Sequence, residues 1–530
     1  MSRQPVLING AWTESNASQV FHAVNPATRE SLEAAFPVSS WEELESVLKA
    51  ADAAFQEVQN WPGSRFADFL EGYADEIEKR QDALVEMANL ETALPVSPRL
   101  RDGEFPRTTN QLRQAAEGAR TGSWSRPIID TTANIRSKFA AIGPVVVMGP
   151  NNFPFAFNSI AGGDFAAAVA AGNPVIAKGH PSHPGTTKLF AEAALAAAKA
   201  TKMPDGFVQL VYRTSHEDGA RLVSDHRVGA IGYTGSRHAG LALKKAADEA
   251  GKPIYLELSS INPVCILPGS LRERSAAIVD EFVGSCLMGT GQFCTNPGLV
   301  LLLKSQESTD FIHAIVQRFQ DAPSGVLLAE GVLKSVSNGV QTLQSAGAEL
   351  LCGGADADAT GFQYQNTLLK VDGEKFLERP EEFQTEAFGN ESLIVVANDV
   401  SQLVEIAAAL EGNLTGCIYS DTDGTDDDIY NRIEPKLRQR VGRLLNDKMP
   451  TGVAVSPAMN HGGPFPATGH PGFTAVGMPT SIQRFAQLLC YDNVRPNRLP
   501  AELQDESTIP GLWRCVDGQW TQDSITNPAS

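Results

Sequence analysis

Residues 228–260 read VGAIGYTGSRHAGLALKKAADEAGKPIYLELSS, and this stretch decides the fold class. A short apolar run ends at Tyr233, Ser236 suits a helix N-cap, and the helix runs to about Ala250. Gly251 suits the left-handed stop, and Pro253 to Leu258 is a second strand. Strand, helix and strand in that order make a βαβ unit. Upstream, AAIGPVVVMGP (140–150), NPVIAKGH (173–180) and FVQLVY (207–212) are further strand-length runs, separated by Ala-rich or amphipathic stretches. The alternation predicts an α/β chain with a parallel, doubly wound sheet between about 140 and 260.

Further out, Trp41, Leu44, Val47, Leu48, Ala51 and Phe55 fall at helical spacing over Trp41 to Gln59, and a second helix is expected from Arg65 to about Asn89. After a boundary near Ser259 to Asn262 a second alternation begins. Its helices are expected near Ala276 to Met288 and Asp310 to Gln320, and its strands near Leu299 to Leu303 and Leu393 to Val396. The tail from Ser481 reads as a helix followed by an edge strand or arm over Gly511 to Trp520.

The 530 residues carry 43 Lys and Arg against 62 Asp and Glu, a formal charge of −19. That charge gives nucleic acid and anionic membranes no electrostatic reason to bind. Met1 to Ser15 lacks an apolar run behind a basic start, and the apolar stretch Ala156 to Ala177 is broken by Asn158, Asp164 and several Gly. A cytoplasmic protein is expected. Seven cysteines (265, 286, 294, 352, 417, 490, 515) form no CxxC pair, which fits reduced thiols and leaves room for a chemical one.

Cys294 stands in Gly289-Thr-Gly-Gln-Phe-Cys-Thr-Asn, small and polar residues whose backbone amides can approach a ligand and stabilise a thiolate. Cys286 reads as a buried small hydrophobe. Glu257 ends an otherwise apolar strand, where an unpartnered carboxylate would have a raised pKa and serve as a base. Gly232, Gly235 and Gly240 surround Thr234 and Ser236 at a helix start, which can offer N–H groups and a hydroxyl to a pyrophosphate although no GxGxxG follows a strand. His180 and His183 lack a convergent Cys or Asp, so no metal site is expected. DTDGTDDD (421–428) departs from a calcium loop, with Arg432 where Glu is needed, and reads as an acidic helix start.

GPNNFPFAF (149–157), YLELSSINP (255–263) and GTGQFCTNPG (289–298) stand in chain order with KGHP (178–181), YTGS (233–236), TEAFGN (385–390) and HGGPFPATGHPGFTAVG (461–477). Over roughly residues 5 to 495 this set resembles the aldehyde dehydrogenase superfamily. The forms GQFCTNPG, ELSSINP, TTNQLR (108–113) and PGLWRCVDG (510–518) are most similar to its α-ketoglutaric semialdehyde dehydrogenases. The resemblance implies a Rossmann-type cofactor domain (1–120 and 140–260), an α/β catalytic domain (261–460), and bridging or oligomerisation segments with a tail (121–139 and 480–530). It implies a homodimer or homotetramer.

The same resemblance implies that Cys294 attacks the aldehyde, Asn152 and the Cys294 backbone N–H hold the oxyanion, and Glu257 activates the water that hydrolyses the thioester. A nicotinamide cofactor must accept the hydride, because no side chain can. Its expected contacts are Ser236 at the phosphate, Lys178 at the adenosine ribose, and Glu386 with Phe388 at the nicotinamide ribose, with His180 and Gly235 also in the cofactor site. Pro150 and Asn151 complete the set, Asn151 standing where the family commonly carries Trp. Relatives that prefer NAD often carry KPSE, whose Glu repels a 2′-phosphate. KGHP lacks that carboxylate and Arg213 adds a cation beside Lys178, so NADP is expected over NAD. Phe153, Phe155, Phe293 and Phe473 resemble tunnel or anchor positions, and Arg107 and Arg113 are candidates for binding a substrate carboxylate. The expected reaction is oxidation of 2,5-dioxopentanoate to 2-oxoglutarate, with a medium- or long-chain aldehyde as the alternative. An idle homologue and a Cys-dependent acyltransferase are remoter readings.

Overall fold

The computed structural model describes residues 3–525; residues 1, 2 and 526–530, at the ends of the first and last expected segments, lie outside the described residues. The βαβ unit takes the form Ala230–Thr234, Arg237–Glu249 and Ile254–Glu257. Ser236 Oγ caps the helix by accepting from the Ala239 N–H, and Gly251 adopts φ +66°.

The first sheet runs Ile254–Glu257, Ala230–Thr234, Val145–Met148, Val175–Lys178, Val208–Val211, Val6–Ile8, Ala11–Thr13. Its first five strands are parallel, and the N-terminal hairpin closes the far edge antiparallel. Side chains alternate between the faces with the strand period of two. Val146, Ile176 and Ile231 pack with Leu44, Val47 and Leu48 of the helix Trp41–Val58. Val145, Val147 and Val175 pack on the other face with the helices Gly63–Glu78, Gly163–Ala170 and Pro184–Thr201. The chain runs from Val145–Met148 outward in one direction, then returns to lay Ala230–Thr234 on its other side. A doubly wound sheet binds ligands at such a reversal, beyond the carboxyl ends of its strands, and this one brings Gly149 and Pro150 beside Thr234 and Gly235.

The second sheet runs Glu349–Cys352, Thr367–Asp372, Glu391–Ala397, Leu299–Leu303, Pro263–Ile266, Asn413–Tyr419, Val441–Asn446, parallel except at its first pair. Glu257 therefore ends its strand at the carboxyl edge of the first sheet, and Cys294 and Glu386 precede strands at the amino edge of the second. A third sheet of five strands joins Ile128–Asp130 and Ile135–Ala141 to Ala486–Asp492, Arg514–Val516 and Gln519–Thr521. Glu30–Ser39, Val20–Asn25 and Arg213–Thr214 form a small fourth sheet.

Several sequence expectations are corrected. The helix expected from Arg65 to Asn89 is two, Gly63–Glu78 and Gln81–Thr92, broken where Arg80 takes φ −112° and ψ 16°. The helix expected from Ser481 is one short 3₁₀ segment, Thr480–Phe485, leading into the strand Ala486–Asp492. The arm over Gly511 to Trp520 is a hairpin whose first strand lies parallel to Ile128–Asp130. The N-terminal strands went unread because their partners lie some 200 residues on, as in Leu7 against Leu210.

Among the described residues no helix is long and apolar enough to cross a membrane. Glu91 anchors the helix Pro184–Thr201: its buried carboxylate accepts from the Gly185 N–H at 2.7 Å, the Thr186 N–H at 2.9 Å and Thr186 Oγ1 at 2.8 Å. Glu91→Ala leaves three donors unpaired and is expected to destabilise the chain by about 2–3 kcal/mol, read as a lowered midpoint in urea unfolding.

Candidate active site

Cys294 is carried by a loop that only small residues permit. Residues 289–291 all take positive φ, and a Cβ on Gly291 (φ +68°) would stand 2.0 Å from the Gly389 carbonyl oxygen. Gln292 pins the loop, donating to the carbonyls of Gly289 and Val326 and accepting from the Leu328 N–H. From the other side the buried Asn262, itself at φ +49°, donates from Nδ2 to the carbonyls of Cys294 and Asn296, each at 2.9 Å. Asn413 Oδ1 holds Asn262 in turn, accepting from the N–H groups of Ile261 and Asn262 at 3.0 and 3.1 Å.

Glu257 is buried at the end of its strand but is not unpartnered, a correction to the sequence expectation: Oε1 lies 2.9 Å from His461 Nε2, while Oε2 has no hydrogen-bond partner. The same Nε2 lies 3.3 Å from Cys294 Sγ. The sulfur, imidazole and carboxylate atoms are all within 4.8 Å of one another. His461 opens the segment HGGPFPATGHPGFTAVG with no local signal of a role of its own. Its partners stand 167 and 204 positions away, and no local pattern signals them. Asn152 is buried beside the loop, with Nδ2 donating to the Gln292 carbonyl at 2.9 Å. Cys286 is fully buried, and burial pushes its thiol up.

A cavity of about 230 Å³ opens onto Cys294 and His461. Phe153, Phe157 and Phe293 line it, Phe153 meeting each of the others edge-on at 5.3 Å. Two cations enter it. Arg107 donates from Nη1 to the Val453 carbonyl at 2.7 Å, leaving Nε and Nη2 buried without a partner. Arg99, missed from sequence, pairs with Glu104 at 2.8 Å, donates to the Asn152 carbonyl, and stacks over Phe153. Arg113 is not there: it faces outward from the same helix, paired with Asp75 and Glu78. Phe155 is also elsewhere, in the core against Phe105 and Phe190, and Phe473 lines a separate cleft beyond Glu257 with Tyr255 and His470. Glu386 and Phe388 line a third cleft with Ser260, Gly291 and Phe293. There Glu386 Oε1 accepts from the Ser260 N–H, and burial raises its carboxyl to about 7.

At the reversal of the first sheet, Lys178 is half-buried, and burial together with the charge of Arg213 lowers its ammonium to about 8. His180 is held neutral, chiefly by burial, and accepts from the Ser182 N–H at its Nδ1. His183 Nε2 engages the Pro150 carbonyl at 3.0 Å. The Gly235 N–H is spent on the Glu257 carbonyl at 3.1 Å, so it is not free for a phosphate, and the Ala239 N–H is taken by the Ser236 cap; the Arg237 and His238 amides of the first turn remain. Gly240 serves packing, since a Cβ there would stand 2.4 Å from Leu258 Cδ2.

Residues 12–458 match the Aldehyde dehydrogenase family. The chain belongs to it. It is 39% identical over 525 residues to alpha-ketoglutaric semialdehyde dehydrogenase 2 of Azospirillum brasilense, covering 97% of this chain and 98% of the relative. It is 34% identical over 527 residues to an alpha-ketoglutaric semialdehyde dehydrogenase of Acinetobacter baylyi, with the same coverage. In fold it is similar to lactaldehyde dehydrogenase of Escherichia coli (TM-score 0.80, 22% identity, 92% of this chain and 98% of that one). It is also similar to a mutant aldehyde dehydrogenase C of Pseudomonas syringae crystallised with NAD+ and octanal (TM-score 0.78, 20% identity, 94% and 98%). The chain is a nicotinamide-dinucleotide-dependent aldehyde dehydrogenase. Gly291→Ala is expected to displace the Cys294 loop and lower kcat/KM for any aldehyde about a hundredfold while the cofactor Kd, measured by fluorescence titration, changes little.

Proposed function

We propose that this enzyme oxidises 2,5-dioxopentanoate to 2-oxoglutarate with NADP, and that Cys294, Asn152 and Glu257 carry the reaction. The observation behind the substrate is Arg107, which lines the cavity that ends at Cys294 and whose guanidinium holds two buried nitrogens without a partner. A buried cation without a partner is costly, and a substrate carboxylate supplies one. The aromatic walls then take the carbon chain between carboxylate and aldehyde. The names of the two curated relatives point the same way.

Cys294 Sγ attacks the aldehyde carbon, forming a thiohemiacetal whose oxyanion is held by the Asn152 amide and the Cys294 backbone N–H. Bound nicotinamide supplies the hydride acceptor. Glu257 takes a proton from water as that water attacks the thioester, releasing the carboxylate and the thiol sulfur.

The residues at the sheet reversal fit the cofactor. Lys178 and Arg213 suit a 2′-phosphate, the amides after Ser236 the pyrophosphate, and Glu386 with Phe388 the nicotinamide ribose. His180, Pro150, Asn151 and Gly235 belong to this rim as shaping residues. We assign cofactor binding to the domain of the first sheet and the nucleophile Cys294 to that of the second, with Glu257 and Asn152 reaching it from the first, and propose a homodimer or homotetramer joined through the strand Ala486–Asp492, where Leu488 is 62% exposed. The seven free thiols fit a reducing, cytoplasmic compartment.

The test is NADPH and NADH formation at 340 nm with 2,5-dioxopentanoate, succinate semialdehyde and hexanal. Strong NADPH formation with the keto-acid aldehyde, lost in Cys294→Ala, is expected. Arg107→Gln should cut kcat/KM for 2,5-dioxopentanoate about a hundredfold and leave hexanal within about threefold. Preference for hexanal in the parent protein would select the medium-chain reading, which the phenylalanine lining favours. Because Lys178 loses its proton above about 8, the ratio of NADP to NAD dissociation constants should rise about tenfold between pH 7 and pH 9. Parallel binding curves for the two cofactors would remove Lys178 from the 2′-phosphate site.

A further inference from the structure

His461 stands between the nucleophile and the base, and the chemistry above leaves it idle. We propose that His461 is a catalytic residue: its Nε2 takes the thiol proton of Cys294 and holds the nucleophile as a thiolate beside an imidazolium, with the Glu257 carboxylate on the imidazolium's other side. This rests on the reading of Cys294 as the nucleophile.

The geometry carries it. One ring nitrogen faces both neighbours, Sγ at 3.3 Å and Oε1 at 2.9 Å. A bare Nε2 would set its lone pair against those of a carboxylate oxygen at hydrogen-bond distance. A hydrogen on Nε2 lies between two acceptors; the neutral Nε2–H tautomer supplies it as well as the imidazolium does, and the negative charge of the carboxylate, with that of a Cys294 thiolate, favours the imidazolium. The main chain that carries the ring is anchored: the backbone N–H of His461 donates to Thr474 Oγ1 at 2.7 Å, and the Phe157 ring centroid lies 6.0 Å from that of the imidazole.

The other charged groups nearby are Arg99, Glu104 and Arg107 on the cavity side, Arg443 of the strand Val441–Asn446, whose charge acts on Cys294, and Asp164 and Arg484 in the cleft beyond Glu257. Glu104 is paired with Arg99, and Asp164 with Arg484 at 2.7 Å, so Glu257 and Cys294 are the anions left to face the ring. Burial alone would strip the imidazolium, but those two charges hold it up to about 10, so the cation persists through neutral pH and is lost as pH climbs past that value.

In the step itself the S–H bond breaks, an N–H bond forms at Nε2, and sulfur keeps the electron pair. That pair forms the C–S bond to the aldehyde carbon while the carbonyl π pair moves onto oxygen. When water later displaces the acyl group, the C–S pair returns to sulfur beside the waiting imidazolium.

The experiment needs neither aldehyde nor cofactor: alkylation by iodoacetamide from pH 6.5 to 10.5, read by mass spectrometry on the Cys294 peptide, in the parent, His461→Gln and His461→Asn. A free thiol loses about a hundredfold in rate from pH 9.5 to 6.5, and the parent is expected to lose no more than about threefold. In the His461 variants the rate at pH 6.5 should fall at least about tenfold and rejoin the parent above about pH 10, where hydroxide ionises the thiol unaided. A ring that merely shaped the site would lower the rate equally at every pH. A hundredfold fall in the parent itself, or variants that track the parent, would overturn the proposal, and the parent measurement decides even if a variant does not fold. If the alkylation profile is as expected but Cys294→Ala still oxidises aldehydes, the identity of the nucleophile fails and the proton pair stands.

Discussion

The side chain of Asn262 holds the site together. It lies just past the crossing from the first sheet to the second, at a left-handed backbone position that Asn tolerates better than most residues. Its amide donates to the carbonyls of Cys294 and Asn296, and its oxygen accepts from the hydroxyls of Ser260 and Thr415. The crossing that carries Glu257 out of one sheet is thereby tied to the loop that carries Cys294 into the other. Asn413 closes the arrangement from a third strand, accepting from the backbone of the crossing. Each of these groups is buried, so each bond forgone would leave a desolvated polar atom.

Around that anchor the chemistry is divided between layers. The carboxyl end of the first sheet presents Glu257 and the helix start after Ser236, while the amino ends of the second present Cys294 and the segment with Glu386. Neither sheet holds a complete site. The Cys294 loop forms one boundary: Phe293 lines both the cavity with the arginines and the cleft with Glu386, so the sulfur stands between the two approaches. Arg99 and Glu104 brace the cavity wall, since Glu104 also accepts from the N–H groups of Phe155 and Ala156. The turn bearing Asn152 is thus held from the segment Val96–Glu104, which leads directly into the helix that contributes Arg107.

The sheet reversal explains why a chain without GxGxxG can still offer a dinucleotide site. Glycines 235 and 240 permit close packing of Tyr233 and Leu258 on the helix, and the Gly235 amide is consumed by the Glu257 carbonyl. In the proposed cofactor site, phosphate recognition falls to the first helical turn and to cations set by strand ends, where Lys178 and Arg213 lie close enough for one charge to depress the other.

By itself the sequence determined the βαβ unit at 228–260, the five parallel strands of the first sheet, two of the seven strands of the second (near Leu299–Leu303 and Leu393–Val396), the family, and the identities of Cys294, Glu257 and Asn152 as candidates. These are local signals: hydrophobic period, capping residues and short motifs whose chemistry is carried by residue type. Only the tertiary structure decided that Glu257 is paired with His461, that Arg107 enters the cavity while Arg113 on the same helix faces Asp75 and Glu78, and that Phe473 lies outside it. Those outcomes depend on groups brought together across hundreds of residues by the docking of two sheets, and neither helical spacing nor motif order records which face of an element will meet which. The N-terminal hairpin shows the same limit: Leu7 pairs with Leu210 because an open sheet edge was available, a fact the first forty residues do not contain.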